Sequence, residues 1–125
     1  MKPGSAEGFP NDVLIVEDDL IIALDFEDTI RGFGVTEVRT TPSVVGALAM
    51  IAERAPDFAL LDVALVREKS FEIAERLSAL GIPFAFVTGY GVKDKFPTAF
   101  EKTPRLPKPC STDALRALLA GTPRR

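Results

Sequence analysis

The sequence predicts a doubly wound α/β domain, in which helices cover both faces of a parallel sheet. Three short apolar runs, at residues 13–16, 58–61 and 84–87, are continuous rather than alternating, which is typical of strands buried on both faces. Segments with a helical spacing of apolar residues separate these runs. Because strand and helix alternate along the chain, a parallel sheet is favoured, and 125 residues fit one such domain.

The other elements follow from periodicity and from the residues that end helices. Residues 37–41 alternate and predict an edge strand, while the prolines around residues 105–107 predict a short last strand. Four helices are predicted. The first covers residues 23–33 and is ended by Gly32 and Gly34, and the second covers residues 44–55 and is capped by Ser43. The third covers residues 69–80 and is ended by Gly81, and the last extends through Leu119 and is capped by Ser111 or Thr112. Residues 91–103 contain Pro97, so a helix there is expected to be short or irregular.

The chain divides into one domain with short ends. Prolines and glycines near the start predict a flexible lead-in over residues 1–11, followed by a domain over 12–121 and a tail over 122–125. No apolar run approaches the ~20 residues of a membrane span, and the lead-in lacks the apolar stretch of a signal peptide. We therefore expect a cytoplasmic protein with no membrane partner.

The residue counts exclude several kinds of chemistry. The chain has no histidine, which rules out Ser-His-Asp and Cys-His catalytic sets, histidine metal sites and a phosphohistidine carrier. Cys110 is the only cysteine, so neither an internal disulfide nor a cysteine zinc site can form. The net charge of −3 argues against a nucleic-acid partner bound through a basic surface.

Polar residues follow most of the predicted strands. They lie at the carboxyl ends of the strands, which is where ligands bind in doubly wound folds. In chain order these are Glu17, Asp18 and Asp19, then Asp62, then Thr88, Gly89 and Tyr90, and finally Lys108. Carboxylates crowded at one rim repel one another and are stabilised by a cation. All-oxygen ligation selects a hard ion, Mg²⁺ or Mn²⁺, which in turn recruits phosphate. We favour Glu17 and Asp18 as the metal-binding pair and expect Asp19 to be an acid in the first helical turn.

The ordered set of motifs resembles a receiver domain of a two-component response regulator. The matching runs are Leu14–Asp19, Leu60–Asp62, Val87–Gly89 and Lys108–Pro109, and the resemblance extends from about residue 12 to residue 119. It implies a flavodoxin-like, five-stranded parallel sheet in the order 2-1-3-4-5. It also implies that Asp62 accepts a phosphoryl group from a bacterial sensor histidine kinase, and that Thr88 and Lys108 contact that group. The implied ligands of Mg²⁺ are Glu17, Asp18, Asp62 and the backbone carbonyl of Ala64.

The stretch from Pro83 to Tyr90 is similar to the Phe-Ala-Thr-Gly-Tyr motif of the FAT GUARD subclass of receivers, with Val87 where alanine is usual. That subclass lacks the ordinary aromatic switch residue of the fifth strand, and Arg105 occupies the matching position here. The resemblance suggests kinases of the HWE type or related families as partners. Thr88 and Tyr90 are the expected switch residues.

A domain of this length leaves no room for an output domain. We therefore expect a stand-alone response regulator that signals by phospho-dependent binding to an unknown protein, or that acts as a phosphate shuttle or sink. Such a protein catalyses only its own phosphotransfer and dephosphorylation. Two alternatives stay open: a degenerate receiver that binds partners without phosphorylation, and a small phosphohydrolase with an aspartate nucleophile. The hydrolase is disfavoured because Ala64 stands where such an enzyme needs a second acid.

Overall fold

A five-stranded parallel sheet forms the centre of the computed structural model, which describes residues 8–65, 68–89, 98–120 and 122. The strands are β1 (Asp12–Val16), β2 (Glu37–Thr41), β3 (Phe58–Asp62), β4 (Ala64–Leu65), β5 (Glu68–Lys69), β6 (Phe84–Thr88) and β7 (Arg105–Pro107). The main sheet has the order β2-β1-β3-β6-β7, and all its neighbouring strands are parallel. This confirms the predicted order 2-1-3-4-5, because β6 and β7 are its fourth and fifth strands.

The helices are α1 (Leu20–Gly32), α2 (Val44–Glu53), α3 (Phe71–Ala79) and α4 (Thr112–Leu119), with a 3-10 helix over Thr98–Phe100. The prediction that the third helix begins at Lys69 is wrong. Lys69 pairs with Ala64 in the small antiparallel ladder of β4 and β5, so α3 begins two residues later. Between β6 and β7 the described residues form only the short 3-10 helix, in line with the irregular helix expected there.

Side-chain caps determine where three of the helices begin. The hydroxyl of Ser43 accepts a hydrogen bond from the amide of Gly46, and Ser111, rather than Thr112, caps α4 in the same way. Asp19 is the N-cap of α1, where its carboxylate accepts from the first turn; it is not an acid within that turn as predicted. These caps satisfy amide groups that have no partner inside the helix.

The sheet separates two hydrophobic cores. One core packs α2, α3 and the 3-10 helix against one face, and its largest side chains include Leu61, Ile73 and Phe86. The other packs α1 and α4 against the opposite face, with Phe26, Ile30 and Leu115 in its centre. The continuous apolar pattern of β1 and β3 is explained by this arrangement, since every residue of both strands is buried. No helix among the described residues is long and apolar enough to cross a membrane.

The register of the parallel strands brings their carboxyl ends to one rim. Val16 pairs with Leu61, and Asp62 pairs with Val87, so the residues that follow β1 and those that end β3 are neighbours. Thr88 pairs with Pro107, which brings Lys108 to the same rim. The strand order therefore assembles polar residues that are far apart in the sequence.

Candidate functional site

Three carboxyl groups meet at this rim. Glu17, Asp18 and Asp62 each place an oxygen atom within 4.8 Å of the others. Glu17 and Asp62 are buried, at 2% and 5% exposure, whereas Asp18 is half-buried. They line a cavity of about 450 Å³ together with Gly89 and Lys108. The predicted convergence of these acids is therefore present in the structure.

Backbone hydrogen bonds between strands hold the acids in place. The amide of Glu17 donates to the carbonyl of Thr41 at 3.0 Å, which continues the pairing of β1 with β2 beyond the last strand residue. The amide of Val63 donates to the carbonyl of Val87 at 3.1 Å and does the same for β3 and β6. The two buried carboxyl groups are thus attached to rigid parts of the sheet.

Lys108 brings a positive charge to the site. Its ammonium nitrogen lies 2.7 Å from Glu17 Oε1 and 3.4 Å from Asp62 Oδ2. The backbone amide of Lys108 donates to the carbonyl of Thr88 at 2.8 Å, so β6 fixes where the lysine leaves the sheet. The contact with Glu17 was not predicted, because nothing in the sequence indicates which of several acids a rim lysine will approach.

Burial and neighbouring charges shift the pKa of two groups in the site. Burial raises the pKa of Glu17 to about 7; Lys108 and the amide of Asp19 oppose this, and Asp62 adds to it. Burial alone would lower the pKa of the Lys108 ammonium, but the attraction of Glu17 and Asp62 outweighs it and the pKa rises. Lys108 is therefore charged at neutral pH, while Glu17 is poised between its two forms.

The structure gives fewer contacts for the remaining predicted site residues. Thr88 ends β6 at the rim and is half-buried. Ala64 begins β4, two residues after Asp62, and the role of its carbonyl as a metal ligand stays a prediction. Tyr90 lies outside the described residues. Arg105, at the position of the ordinary aromatic switch, is exposed, and its guanidinium donates to the carbonyl of Glu101 at 3.4 Å.

The site fits a hard divalent cation. Its candidate ligands are carboxylate oxygens, which Mg²⁺ and Mn²⁺ prefer. The three carboxyl groups lie close together beside the Lys108 ammonium, and a divalent cation would reduce the repulsion among them. Burial, with a smaller contribution from Asp62, raises the pKa of Glu17, and a cation bound there would favour its charged form.

Fold and site together are a parallel α/β domain with a carboxyl cluster at the carboxyl ends of its strands, and comparison with known proteins gives the family. The model of the response regulator receiver domain matches residues 13–120. The chain belongs to this family, whose members are the receiver domains of two-component systems, and within it the chain resembles the FAT GUARD subclass. A search of curated proteins finds no significant match.

Comparison with solved structures supports the same family. The solution structure of SdrG from Sphingomonas melonis Fr1 is 40% identical over 94% of this chain and 98% of that one, with a TM-score of 0.79. The BeF3-activated conformation of SdrG, from Pseudomonas melonis Fr1, is 38% identical over 86% and 91% of the two chains, with a TM-score of 0.72. The receiver domain of PhyR from Erythrobacter litoralis, at 23% identity over 88% and 87%, shares the fold with a TM-score of 0.71.

Proposed function

We propose that the protein is a response regulator that accepts a phosphoryl group on Asp62 from a histidine kinase in a Mg²⁺-dependent reaction. One observation carries the proposal. Asp62 ends β3 at a rim where it lies within 4.8 Å of two other carboxyl groups and 3.4 Å from the Lys108 ammonium. A lone buried carboxylate could be structural, but this grouping offers a nucleophile, a cation site and a fixed positive charge together.

The chemistry assigned to the site is a transfer between two covalent carriers. A carboxylate oxygen of Asp62 attacks the phosphorus of the kinase phosphohistidine, the phosphorus–nitrogen bond breaks, and an acyl phosphate forms. A divalent cation, when bound, neutralises charge on the phosphoryl oxygens. Glu17 and Asp18, with the carbonyl of Ala64, would hold it. Lys108 and the hydroxyl of Thr88 would hold the remaining phosphoryl oxygens.

The output we propose is a change of surface rather than a reaction on another substrate. A phosphoryl group adds about −1.5 to −2 charge and three acceptor oxygens, which favours a conformation in which Lys108 and Thr88 turn toward it. Tyr90, two residues after Thr88, is the proposed aromatic reporter of that change. The protein would then bind a downstream partner or act as a phosphate sink. The resemblance to FAT GUARD receivers makes HWE-type or related kinases the first donors to test, and a cytoplasmic location fits them.

The decisive experiment is phosphate incorporation from acetyl phosphate with Mg²⁺, followed by intact-mass measurement. The wild type is expected to gain one phosphoryl group, and Asp62→Asn none, because the amide keeps the shape but loses the nucleophile. Asp113→Asn is the matched control, since the Asp113 side chain is 95% exposed on α4. Absence of incorporation in the wild type would favour a degenerate receiver, and turnover of many phosphoesters would favour a phosphohydrolase.

A further inference from the structure

The three acids that follow β1 do not play the same part in the carboxyl cluster. Among the described residues, the close carboxyl oxygens belong to Glu17, Asp18 and Asp62. Asp19 lines the same cavity but is outside this group, and its side chain is exposed. One of its carboxylate oxygens, Oδ1, accepts hydrogen bonds from two amides of α1. A carboxylate engaged by helix amides in this way indicates a role other than that of a metal ligand.

Hydrogen bonds to α1 fix the peptide of Asp19. Its Oδ1 atom accepts from the amide of Ile21 at 3.0 Å and from that of Ile22 at 3.2 Å. Its carbonyl accepts from the amide of Ala23 at 2.9 Å, which is the first backbone bond of the helix. Because both the side chain and the carbonyl of Asp19 are bound to α1, the helix also determines the direction of the Asp19 amide.

That amide donates to Glu17. The amide nitrogen of Asp19 lies 3.1 Å from Glu17 Oε2, while Glu17 Oε1 is 2.7 Å from the ammonium nitrogen of Lys108. The backbone of Glu17 is held separately, because its amide donates to the carbonyl of Thr41 in β2. A cation would compete with the Lys108 ammonium for Glu17. The Asp19 amide is then the contact that would continue to orient the carboxylate.

We propose that Asp19 is a positioning residue of the metal site, which caps α1 and thereby holds its own amide where it orients the Glu17 carboxylate. Asp19 does this without being a ligand, and the capping oxygen rather than the negative charge is what the site requires. The inference rests on the proposed function, in which Glu17 is a ligand of Mg²⁺. Loss of a group that orients a metal ligand typically lowers the metal affinity by roughly 10- to 100-fold.

The test compares Asp19→Asn with Asp19→Ala, and measures the Mg²⁺ affinity of the full chain by calorimetric titration. Both variants remove the same charge, but asparagine is an effective N-cap and alanine is not. We expect Asp19→Asn to bind Mg²⁺ with close to the wild-type affinity, because salt screens the charge of an exposed carboxylate. Asp19→Ala should bind Mg²⁺ about tenfold more weakly than Asp19→Asn.

Ser111→Ala is the matched control for the loss of a helix cap. Ser111 caps α4 at an exposed position, and its hydroxyl accepts from the amide of Ala114 at 3.0 Å. This variant should lower the melting temperature by a few degrees, as Asp19→Ala does, yet leave the Mg²⁺ affinity unchanged. The pair of variants therefore separates a role in the site from a general loss of helix stability.

A second measurement needs no metal. Exchange of the residue 19 amide with solvent reports its hydrogen bond to Glu17. After correction for residue type, it should be several-fold faster in Asp19→Ala than in Asp19→Asn. Equal Mg²⁺ affinities of these two variants, equal exchange at residue 19, or an equally weakened Ser111→Ala would overturn the inference. A wild type that binds no Mg²⁺ would instead overturn the proposed function, and the exchange rates would still decide whether Asp19 positions Glu17.

Discussion

Lys108 lies closer to Glu17 than to Asp62: its ammonium nitrogen is 2.7 Å from Glu17 Oε1 and 3.4 Å from Asp62 Oδ2. The lysine that is proposed to hold a phosphoryl group on Asp62 is therefore paired mainly with a proposed metal ligand when no ion is bound. A divalent cation would compete with Lys108 for Glu17, because both are attracted to the same carboxylate. Binding of a metal ion to Glu17 would therefore release Lys108 toward Asp62.

Stability should depend on pH through Glu17. Burial raises the pKa of Glu17 in the folded protein to about 7 from an ordinary value of 4.5, so between these values the folded state binds more protons than the unfolded one. The contribution of Glu17 to the free energy of unfolding should therefore be complete below pH 4.5 and should be lost as the pH rises from 4.5 through 7. A shift of this size corresponds to at most about 3 kcal/mol.

This prediction is checked by urea unfolding of the metal-free protein between pH 5.5 and pH 8, which lies above the ordinary titration range of carboxyl groups. Glu17→Gln should flatten the pH dependence, because an amide does not titrate. Glu72→Gln, on an exposed position of α3, should retain the wild-type slope. A wild-type stability that rises with pH over this range would contradict the assignment.

Mg²⁺ should raise the melting temperature, because the ion binds the folded carboxyl cluster and not the unfolded chain. At 100 times its dissociation constant a ligand contributes about 2.7 kcal/mol, which is several degrees for a domain of this size. Asp18→Ala should lose most of this gain. Without metal, Asp18→Asn and Asp62→Asn should melt at or above the wild-type temperature, since each removes one like charge. Metal-free variants that both melt well below the wild type would argue against the cluster.

Close packing at the start of α2 should make Gly46→Ala destabilising. A Cβ atom built on Gly46 would collide with Thr41 Oγ1 and lie 3.0 Å from Ser43 Oγ, the capping hydroxyl. We expect a loss of about 1–3 kcal/mol in the free energy of unfolding, as for other overpacked sites. Gly32→Ala is the matched control, because a Cβ there meets no described atom within 4 Å. It should be neutral or stabilise by up to ~1 kcal/mol. Equal effects of the two substitutions would refute this account.

Asp12, at the end of the sheet opposite the site, should contribute strongly to the free energy of unfolding. Its carboxylate accepts from Arg39 Nε at 3.1 Å and from Arg54 Nε at 2.7 Å, and Arg39 also donates to the carbonyl of Met50 in α2. Asp12→Ala leaves a nearly buried guanidinium without its carboxylate and should lower the free energy of unfolding by about 3 kcal/mol. Asp113→Ala, at an exposed site, should change it little. Denaturant unfolding at one pH measures both, and a near-neutral Asp12→Ala would show that the ion pairs add no stability.

Tyr90 should report occupation of the site by its fluorescence. It is the only tyrosine and the chain has no tryptophan, so emission excited in the tyrosine band comes from this residue. Mg²⁺ with beryllofluoride, a phosphoryl mimic, should change that emission or its quenching by acrylamide, because the glycines on either side permit backbone motion. Thr88→Ala should suppress the change while the mimic still binds. Flat emission during binding that is visible in amide chemical shifts would exclude Tyr90 as a reporter.

The sequence by itself determined the five strands of the main sheet, their order of appearance and the acids at their ends. The runs at residues 13–16 and 58–61 were recognisable because a strand covered on both faces must be apolar throughout. The positions of Glu17, Asp18 and Asp62 then followed, since the carboxyl ends of parallel strands share one rim. Local capping signals also identified Ser43 correctly.

Only the tertiary structure decided which of these residues touch. The ion pair of Lys108 with Glu17, the sharing of Asp12 by Arg39 and Arg54, and the hydrogen bond from Arg31 to the carbonyl of Val38 all join separate elements. The β4–β5 ladder likewise overrode the helical pattern that had included Lys69. Periodicity reports which face of an element is buried, but a contact between long charged side chains depends on strand register and helix placement. Those are set by packing across the whole domain, which no local pattern contains.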